Sequence, residues 1–253
     1  MCGIVGILGP GYRDLISEMN CSQRHRGPDD EGYAFDDSED MALAMCRLSI
    51  VDIDGGHQPM VDSTGRYTIV FNGEVFNAPM LRKELEAVGI RFSTRSSDTE
   101  VVLNLFALVG AQCVSRLNGM FAFVVYDNVE KTLFLARDPL GIKPLYYFDQ
   151  GGTFAFASEL KSLMTLPVAP REIDRQSLHH YLTFQFIPAP NTIYAGVWKL
   201  PAGHTLAINL KRRAGTNACR YWQPGFQAPP ETANSYADNV TLLRSQLERT
   251  ATD

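Results

Sequence analysis

The sequence predicts an α+β protein in which layered β-sheets are sandwiched between helices, and three observations lead to it. Four short strand-like segments follow one another between residues 120 and 158, while the helix-like segments fall into separate groups. Alternation within the strand-like segments is incomplete and their apolar stretches are long enough to be covered on both faces. Strands clustered apart from helices favour layered sheets over a doubly wound parallel sheet.

Taken in order, "GIVGIL" (3–8) reads as a buried strand ending at "GPG", and "YRDLISEM" (12–19) as a short helix running into a polar loop, "SQRHRGPDDEG" (22–32). "MALAMCRLSIV" (41–51) and "RYTIVFN" (66–72) read as strands. A helix over 78–88 is marked by a capping Asn77, Pro79 in the first turn, Leu81, Leu85 and Val88 on one face, and Gly89 at its end. A second helix places Val102, Leu105, Phe106 and Val109 together and stops at Gly110. The strand candidates are "MFAFVVYD" (120–127), "KTLFLARD" (131–138), "PLYYFD" (144–149) and "TFAFAS" (153–158). Beyond residue 160, "IDRQSLHHYLTF" (173–184) looks helical, 188–206 loop-rich and 221–235 a linker. A last helix carries Tyr236, Val240, Leu243 and Leu247 at helical spacing.

With 253 residues, 45% hydrophobic and 20% charged, the chain is long enough for one large domain or two small ones. A formal charge of −5 and the lack of a dense Lys/Arg stripe argue against a nucleic-acid footprint, with "KRR" (211–213) reading as a solvated turn. No apolar run reaches membrane-spanning length, so no membrane partner is expected, and the opening residues lack the pattern of a secretory signal. Five cysteines, odd in number and without CxxC, fit a reducing cytoplasm and disfavour a disulfide frame or a zinc site. His179 and His180 are adjacent and point different ways on a helix, so no metal site is expected there.

Five stretches bear on chemistry. Cys2 follows the start methionine; it reads either as a small hydrophobe in a buried strand or, with Met1 removed, as a thiol and a free α-amine on one residue. Asn72-Gly73 reads by itself as a hairpin turn, the alternative being an oxyanion hole whose glycine lets the backbone approach a ligand. Ser97 and Glu100 form an S-x-x-E capping box with Asp98 in the first helical turn, where it either favours the helix dipole or receives a substrate ammonium. Arg47 interrupts an apolar strand, as an outward-facing arginine or as a rigid fork for a carboxylate. "RHRGPDDEG" (24–32) reads as a solvated loop.

Together and in this order, "MCGIVG", "RHRGPDDEG", "RLSIVD", "FNGEVFN", "SDTEVVL", "LNGMFAFVVYD" and "ARDPLGIKPLYY" resemble the amino-terminal glutaminase domain of asparagine synthetases, class II glutamine amidotransferases of the N-terminal-nucleophile hydrolase fold. The resemblance covers roughly residues 2–210, leaving 211–253 as a linker and the start of a missing synthetase domain. It implies a four-layer α/β/β/α sandwich. It assigns Cys2 as nucleophile, and Asn72 and Gly73 as oxyanion hole. Arg47 would hold the α-carboxylate of glutamine, Glu74 and Asp98 its α-ammonium, and the main chain of Ile50 and Val51 would line the same pocket. Residues 24–29 would close over bound glutamine, with Arg26 steadying the thiolate region. A free α-amine, with pKa about 7.7–8.0, suits the base that takes the thiol proton.

No "SGG-x-DS" loop occurs. ATP and magnesium would therefore belong to the absent synthetase domain, and no cofactor is expected in this chain. The expected partners are L-glutamine and a synthetase domain in cis or a separate ammonia-accepting subunit; a homodimer is left open. A truncated or excised domain is expected, with a free-standing glutaminase subunit as alternative. "DPLGIKPLYY" (138–147) and the apolar face of the last helix are then docking candidates, against ordinary core packing. A catalytically silent glutamine-binding scaffold, and a relative amidating a sugar or peptide carboxylate, are the readings from other classes.

Overall fold

The computed structural model describes residues 2–50, 52, 55–210, 217–225 and 235–252. Residues up to Trp222 form one compact unit and Gln223–Asp253 a second, which contains the helix α6 (Tyr236–Thr252). In the first unit the strands are β1 (Gly3–Leu8), β2 (Asp30–Asp36), β3 (Met41–Arg47), β4 (Met60–Val61), β5 (Tyr67–Val75), β6 (Gly119–Asp127), β7 (Thr132–Arg137), β8 (Tyr146–Gln150), β9 (Thr153–Ala157), β10 (Val197–Lys199), β11 (His204–Asn209) and β12 (Cys219–Arg220). The helices are α1 (Tyr12–Ser22), α2 (Ala78–Ala87), α3 (Asp98–Val109), α4 (Leu160–Leu163) and α5 (Arg175–Phe184).

Two antiparallel sheets result, ordered β10-β8-β9-β1-β3-β2 and β12-β11-β7-β6-β5-β4. Side chains alternate between strand faces, so each apolar run divides between two cores. In β1, Ile4 and Leu8 join the core between the sheets, whereas Val5 and Ile7 join Ile16 and Met19 of α1. In β6, Ala122, Val124 and Tyr126 face the other sheet, and Phe121, Phe123 and Val125 meet Leu81 and Leu85 of α2 and Val102 and Leu105 of α3. The layers are therefore helix, sheet, sheet, helix, as expected. Runs such as "MALAM" look continuously apolar because both faces are covered. Fully burying a phenylalanine contributes about 1.5–3 kcal/mol, so Phe121, Phe123, Phe148 and Phe156 matter more to these layers than the intrinsic propensity of ten-residue helices.

Several local expectations are corrected. Asn72-Gly73 is no hairpin turn: β5 runs through it to Val75, paired along its length with β6. The strand expected over 41–51 stops at Arg47, and 22–32 is not all loop, since Arg24–Arg26 form a 3-10 turn and β2 begins at Asp30. The loop-rich 188–206 contains β10 and the start of β11. Asn77 precedes α2 but does not cap it with its side chain, which instead bonds the Arg116 carbonyl and the Asn118 N–H. Ser97 and Glu100 form no capping box: the Glu100 carboxylate accepts the N–H groups of Ser93 and Thr94 and both their hydroxyls, closing the loop before α3.

Candidate active site

The core between the sheets becomes polar at one end, through the same two-residue period that builds it. One step beyond Ile4 on the inward face is Cys2; beyond Met45 is Arg47; beyond Val70 are Asn72 and Glu74. The register Gly3↔Cys46 brings the start of β1 beside the end of β3, and Asn72↔Ala122 fixes β5 in the facing sheet. These residues and Asp98, the first residue of α3, share one cavity of about 190 Å³. Of the eight residues singled out as a site, Cys2, Arg47, Ile50, Asn72, Gly73, Glu74 and Asp98 all line it; Val51 lies outside the described residues.

Cys2 is partly buried against the core between the sheets, with its Sγ 3.9 Å from the Leu48 carbonyl. Arg47 is 4% exposed, and its Nη2 donates to the Asp52 carbonyl at 2.7 Å. Gly56 leaves room for this guanidinium, since a Cβ there would lie 2.2 Å from Nη2. Ile50 stands exposed at the rim.

Asn72 is 1% exposed, yet neither Nδ2 nor Oδ1 has a hydrogen-bond partner among the described residues. Buried side-chain amides are almost always paired, so an orphan lining a cavity marks a place for a ligand. Gly73 owes its identity to the neighbouring strand: a Cβ would lie 2.4 Å from the Met120 carbonyl oxygen and 2.8 Å from Phe121 Cα. The expected need for close ligand approach is thus joined by a packing need. Asp98 accepts the Val75 N–H at 3.1 Å. Burial raises its carboxyl above the ordinary range and the Glu74 charge adds to this, while main-chain hydrogen bonds from Val75 and Thr99 offset part of it. A buried guanidinium at one place and two carboxylates at another suit a ligand carrying both an anion and an ammonium. The thiol and orphan amide lie in the same space.

Some residues of the site have no role assigned to them from the sequence. Gln58 is buried, its Oε1 accepting the Phe71 N–H at 2.7 Å and its Nε2 donating to Thr99 Oγ1 at 3.1 Å, so it locks β5 beside Asn72 onto the start of α3. Lys143, 6% exposed, also lines the cavity. It is held there by Asp138, whose carboxylate accepts the N–H groups of Leu140, Ile142 and Lys143. Residues 24–29, expected as a loop closing over a ligand, do not line the cavity. They are braced from below: Arg26 Nε donates to the Cys2 carbonyl at 2.9 Å and the Asp29 N–H to the Arg47 carbonyl at 3.1 Å.

Known proteins resemble this chain. Residues 1–222 match the family described as a glutamine amidotransferase domain. Asparagine synthetase [glutamine-hydrolyzing] 1 of Bacillus subtilis is 43% identical over 82% of this chain, and asparagine synthetase [glutamine-hydrolyzing] 3 of the same organism 35% identical over all of it. The chain spans 33% and 41% of those relatives' length. Among solved structures, glutamine phosphoribosylpyrophosphate amidotransferase from B. subtilis has a TM-score of 0.66 over 88% of this chain and 50% of its own, at 22% identity, which is a likeness of fold. Since the family match over residues 1–222 takes in every strand of both sheets and each described residue lining the cavity, the chain belongs to the glutamine amidotransferase domain family.

Proposed function

We propose that this chain hydrolyses L-glutamine to glutamate and ammonia through a thioester on Cys2. The observation that carries the reading is the common cavity of the Cys2 thiol, the unpartnered Asn72 amide, the Arg47 guanidinium and the Asp98 carboxylate. Arg47 takes the α-carboxylate, Asp98 and Glu74 take the α-ammonium, and the main chain of Ile50 and Val51 lines the pocket, which leaves the side-chain amide directed at the sulfur.

With Met1 removed, the Cys2 α-amine accepts the thiol proton, directly or through a water. The sulfur attacks the amide carbon, and the Asn72 Nδ2–H and the Gly73 N–H donate to the oxyanion that forms. Collapse breaks the carbon–nitrogen bond; the leaving nitrogen takes the proton from the α-ammonium and departs as ammonia. A water deprotonated by the same amine then attacks the thioester, releasing glutamate and returning a proton to the sulfur. The reaction needs only glutamine, water and residues of this chain.

The ammonia is delivered to a synthetase domain in cis or to a separate subunit, and the names of the relatives point to asparagine formation there. ATP and magnesium belong to that acceptor in this reading. In this reading the amidotransferase domain runs to Trp222, where the compact unit and the family match end, beyond the boundary at 210 expected from the sequence. Five free thiols support a reducing, cytoplasmic setting, and among the described residues no helix is long and apolar enough to cross a membrane.

Intact-mass measurement and a glutaminase assay test the reading. Loss of one methionine is expected, with ammonia release that disappears in Cys2→Ala. Ammonia release that survives Cys2→Ala overturns the mechanism, and a retained Met1 points to a silent glutamine-binding domain, because a blocked amine cannot serve as base.

A further inference from the structure

Cys2 stands outside the last ladder pair of its strand, Gly3↔Cys46, so the β-sheet by itself does not fix its orientation. A residue at a chain end is free to turn unless something ties it down. The tie is at its carbonyl, which accepts a hydrogen bond from Arg26 Nε at 2.9 Å. Arg26 has a side chain only 9% exposed, and its Nη2 is buried without a hydrogen-bond partner among the described residues. Its Nη1 is anchored by Glu159 Oε1 at 3.0 Å.

Glu159 is placed for this by two further features. It directly follows Ser158, whose N–H donates to the Ile4 carbonyl at 2.9 Å and whose Oγ accepts the Ile4 N–H at 3.0 Å. The dipeptide therefore grips β1 at Ile4 and, through Arg26, at Cys2. Glu159 also occupies the residue before α4, where a carboxylate would ordinarily cap the helix, but its side chain makes no such bond. It reaches instead to Arg26, His25 at 2.9 Å and Lys161 at 3.3 Å. Burial pushes its carboxyl up, but the hydrogen bonds from Arg26, His25 and Lys161 outweigh this and hold it below the ordinary range.

We propose that Glu159 is a positioning residue for the nucleophile: by clamping the Arg26 guanidinium it holds the Cys2 carbonyl, and with it the direction in which the thiol and amine face Asn72. The inference rests on Cys2 being the nucleophile. Without Glu159 the guanidinium keeps a single anchor and Cys2 turns about its own backbone. A misplaced reacting group costs rate far more than it costs substrate binding, since Arg47 and Asp98 hold the ligand independently.

The test uses the whole chain and its Glu159→Gln and Arg26→Lys variants, each checked for an unchanged thermal midpoint. Two labelling rates are read at Cys2 by peptide mass: that of iodoacetamide, which needs only an accessible thiol, and that of a glutamine analogue with an electrophilic carbon in place of its amide, which needs an oriented one. In both variants the second rate is expected to fall about tenfold to hundredfold relative to the first. Glutamine hydrolysis should lose kcat by a similar factor, with KM within about twofold. An unchanged ratio of rates in either folded variant overturns the proposal, as does a loss of iodoacetamide labelling that tracks the other rate, which would mean collapse of the site. If Glu159→Gln does not fold, Arg26→Lys decides by the same ratio. A wild-type Cys2 that the glutamine analogue never labels overturns the catalytic reading itself, and is recognised without either variant.

Discussion

Arg47 and Asp52 are joined by a 2.7 Å hydrogen bond from the guanidinium Nη2 to the Asp52 carbonyl, and the Asp52 carboxylate in turn accepts the Ser96 N–H at 2.7 Å, two residues before Asp98. One residue thus connects the cation and the carboxylate proposed to grip the two ends of glutamine. Asp52 has φ 48°, a left-handed conformation that aspartate and asparagine tolerate better than most residues. Its carboxyl is held below the ordinary range, first by the Ser96 N–H and also by that of Gly55, against the opposing effect of burial.

Asp52→Asn keeps the backbone tolerance but removes the charge that draws these N–H groups. A hydrogen bond to a charged group contributes about 1.5–3 kcal/mol, so apparent glutamine affinity should fall roughly tenfold, with kcat within about twofold. Steady-state kinetics check this. An unaltered KM would show that the two halves of the grip are set independently.

Asn72→Ala separates stability from activity. The amide is buried and has no hydrogen-bond partner among the described residues, so its removal takes away little stabilisation. The thermal midpoint should hold or rise. Losing an oxyanion donor should nonetheless lower kcat by about 10²–10³-fold. A midpoint that drops along with activity would mean that Asn72 is a structural residue.

Two glycines of the site should fail in different ways. In Gly73→Ala the new methyl meets the Met120 carbonyl and the Phe121 backbone, neither of which can swing aside. Overpacking of this kind costs about 1–3 kcal/mol, read as a lower urea midpoint. In Gly56→Ala the methyl meets chiefly the end of the Arg47 side chain, 2.2 Å away, and less closely the Asp52 carbonyl at 2.9 Å. That variant should lose less of its urea midpoint than Gly73→Ala and raise KM. The reverse pattern would contradict both assignments.

The layers were legible because continuous apolar runs of strand length leave a plain trace: GIVGIL, MFAFVVYD and KTLFLARD are all strands within a residue or two. Residues whose chemistry is local were misjudged where a distant partner claimed them. Asn77 and Glu100 have the right spacing for caps, yet bind Arg116, Asn118 and the 93–94 loop. Asn-Gly is a turn signal in isolation, but nine residues of pairing with β6 carry β5 straight through it. The site residues were found through their resemblance to a family, since spacing alone left each of them ambiguous. Gln58 and Glu159 had no such mark, and Lys143 lay in a quoted motif without a role of its own, because what these residues do depends on two sheets and a helix meeting.

The pH dependence of ligand binding tests Asp98 most directly. Burial, with the charge of Glu74, raises its carboxyl in the free site, so it becomes protonated at a higher pH than an ordinary aspartate. A protonated carboxyl cannot pair with the substrate ammonium, whereas a bound ammonium favours the ionised form and lowers the same pKa. Affinity for L-glutamine, measured by calorimetry on Cys2→Ala to prevent turnover, should therefore be flat above the raised value and weaken by up to about tenfold per pH unit below it, until the lower value of the complex is reached. Binding in that window should release protons, seen as a heat that changes with the ionisation enthalpy of the buffer. Asp98→Asn should bind about 2 kcal/mol more weakly and lose this limb of the profile, because its ligand ammonium is left with only Glu74. An affinity that strengthens as pH falls, or an Asn variant that keeps the wild-type slope, would remove Asp98 from the grip on the ammonium.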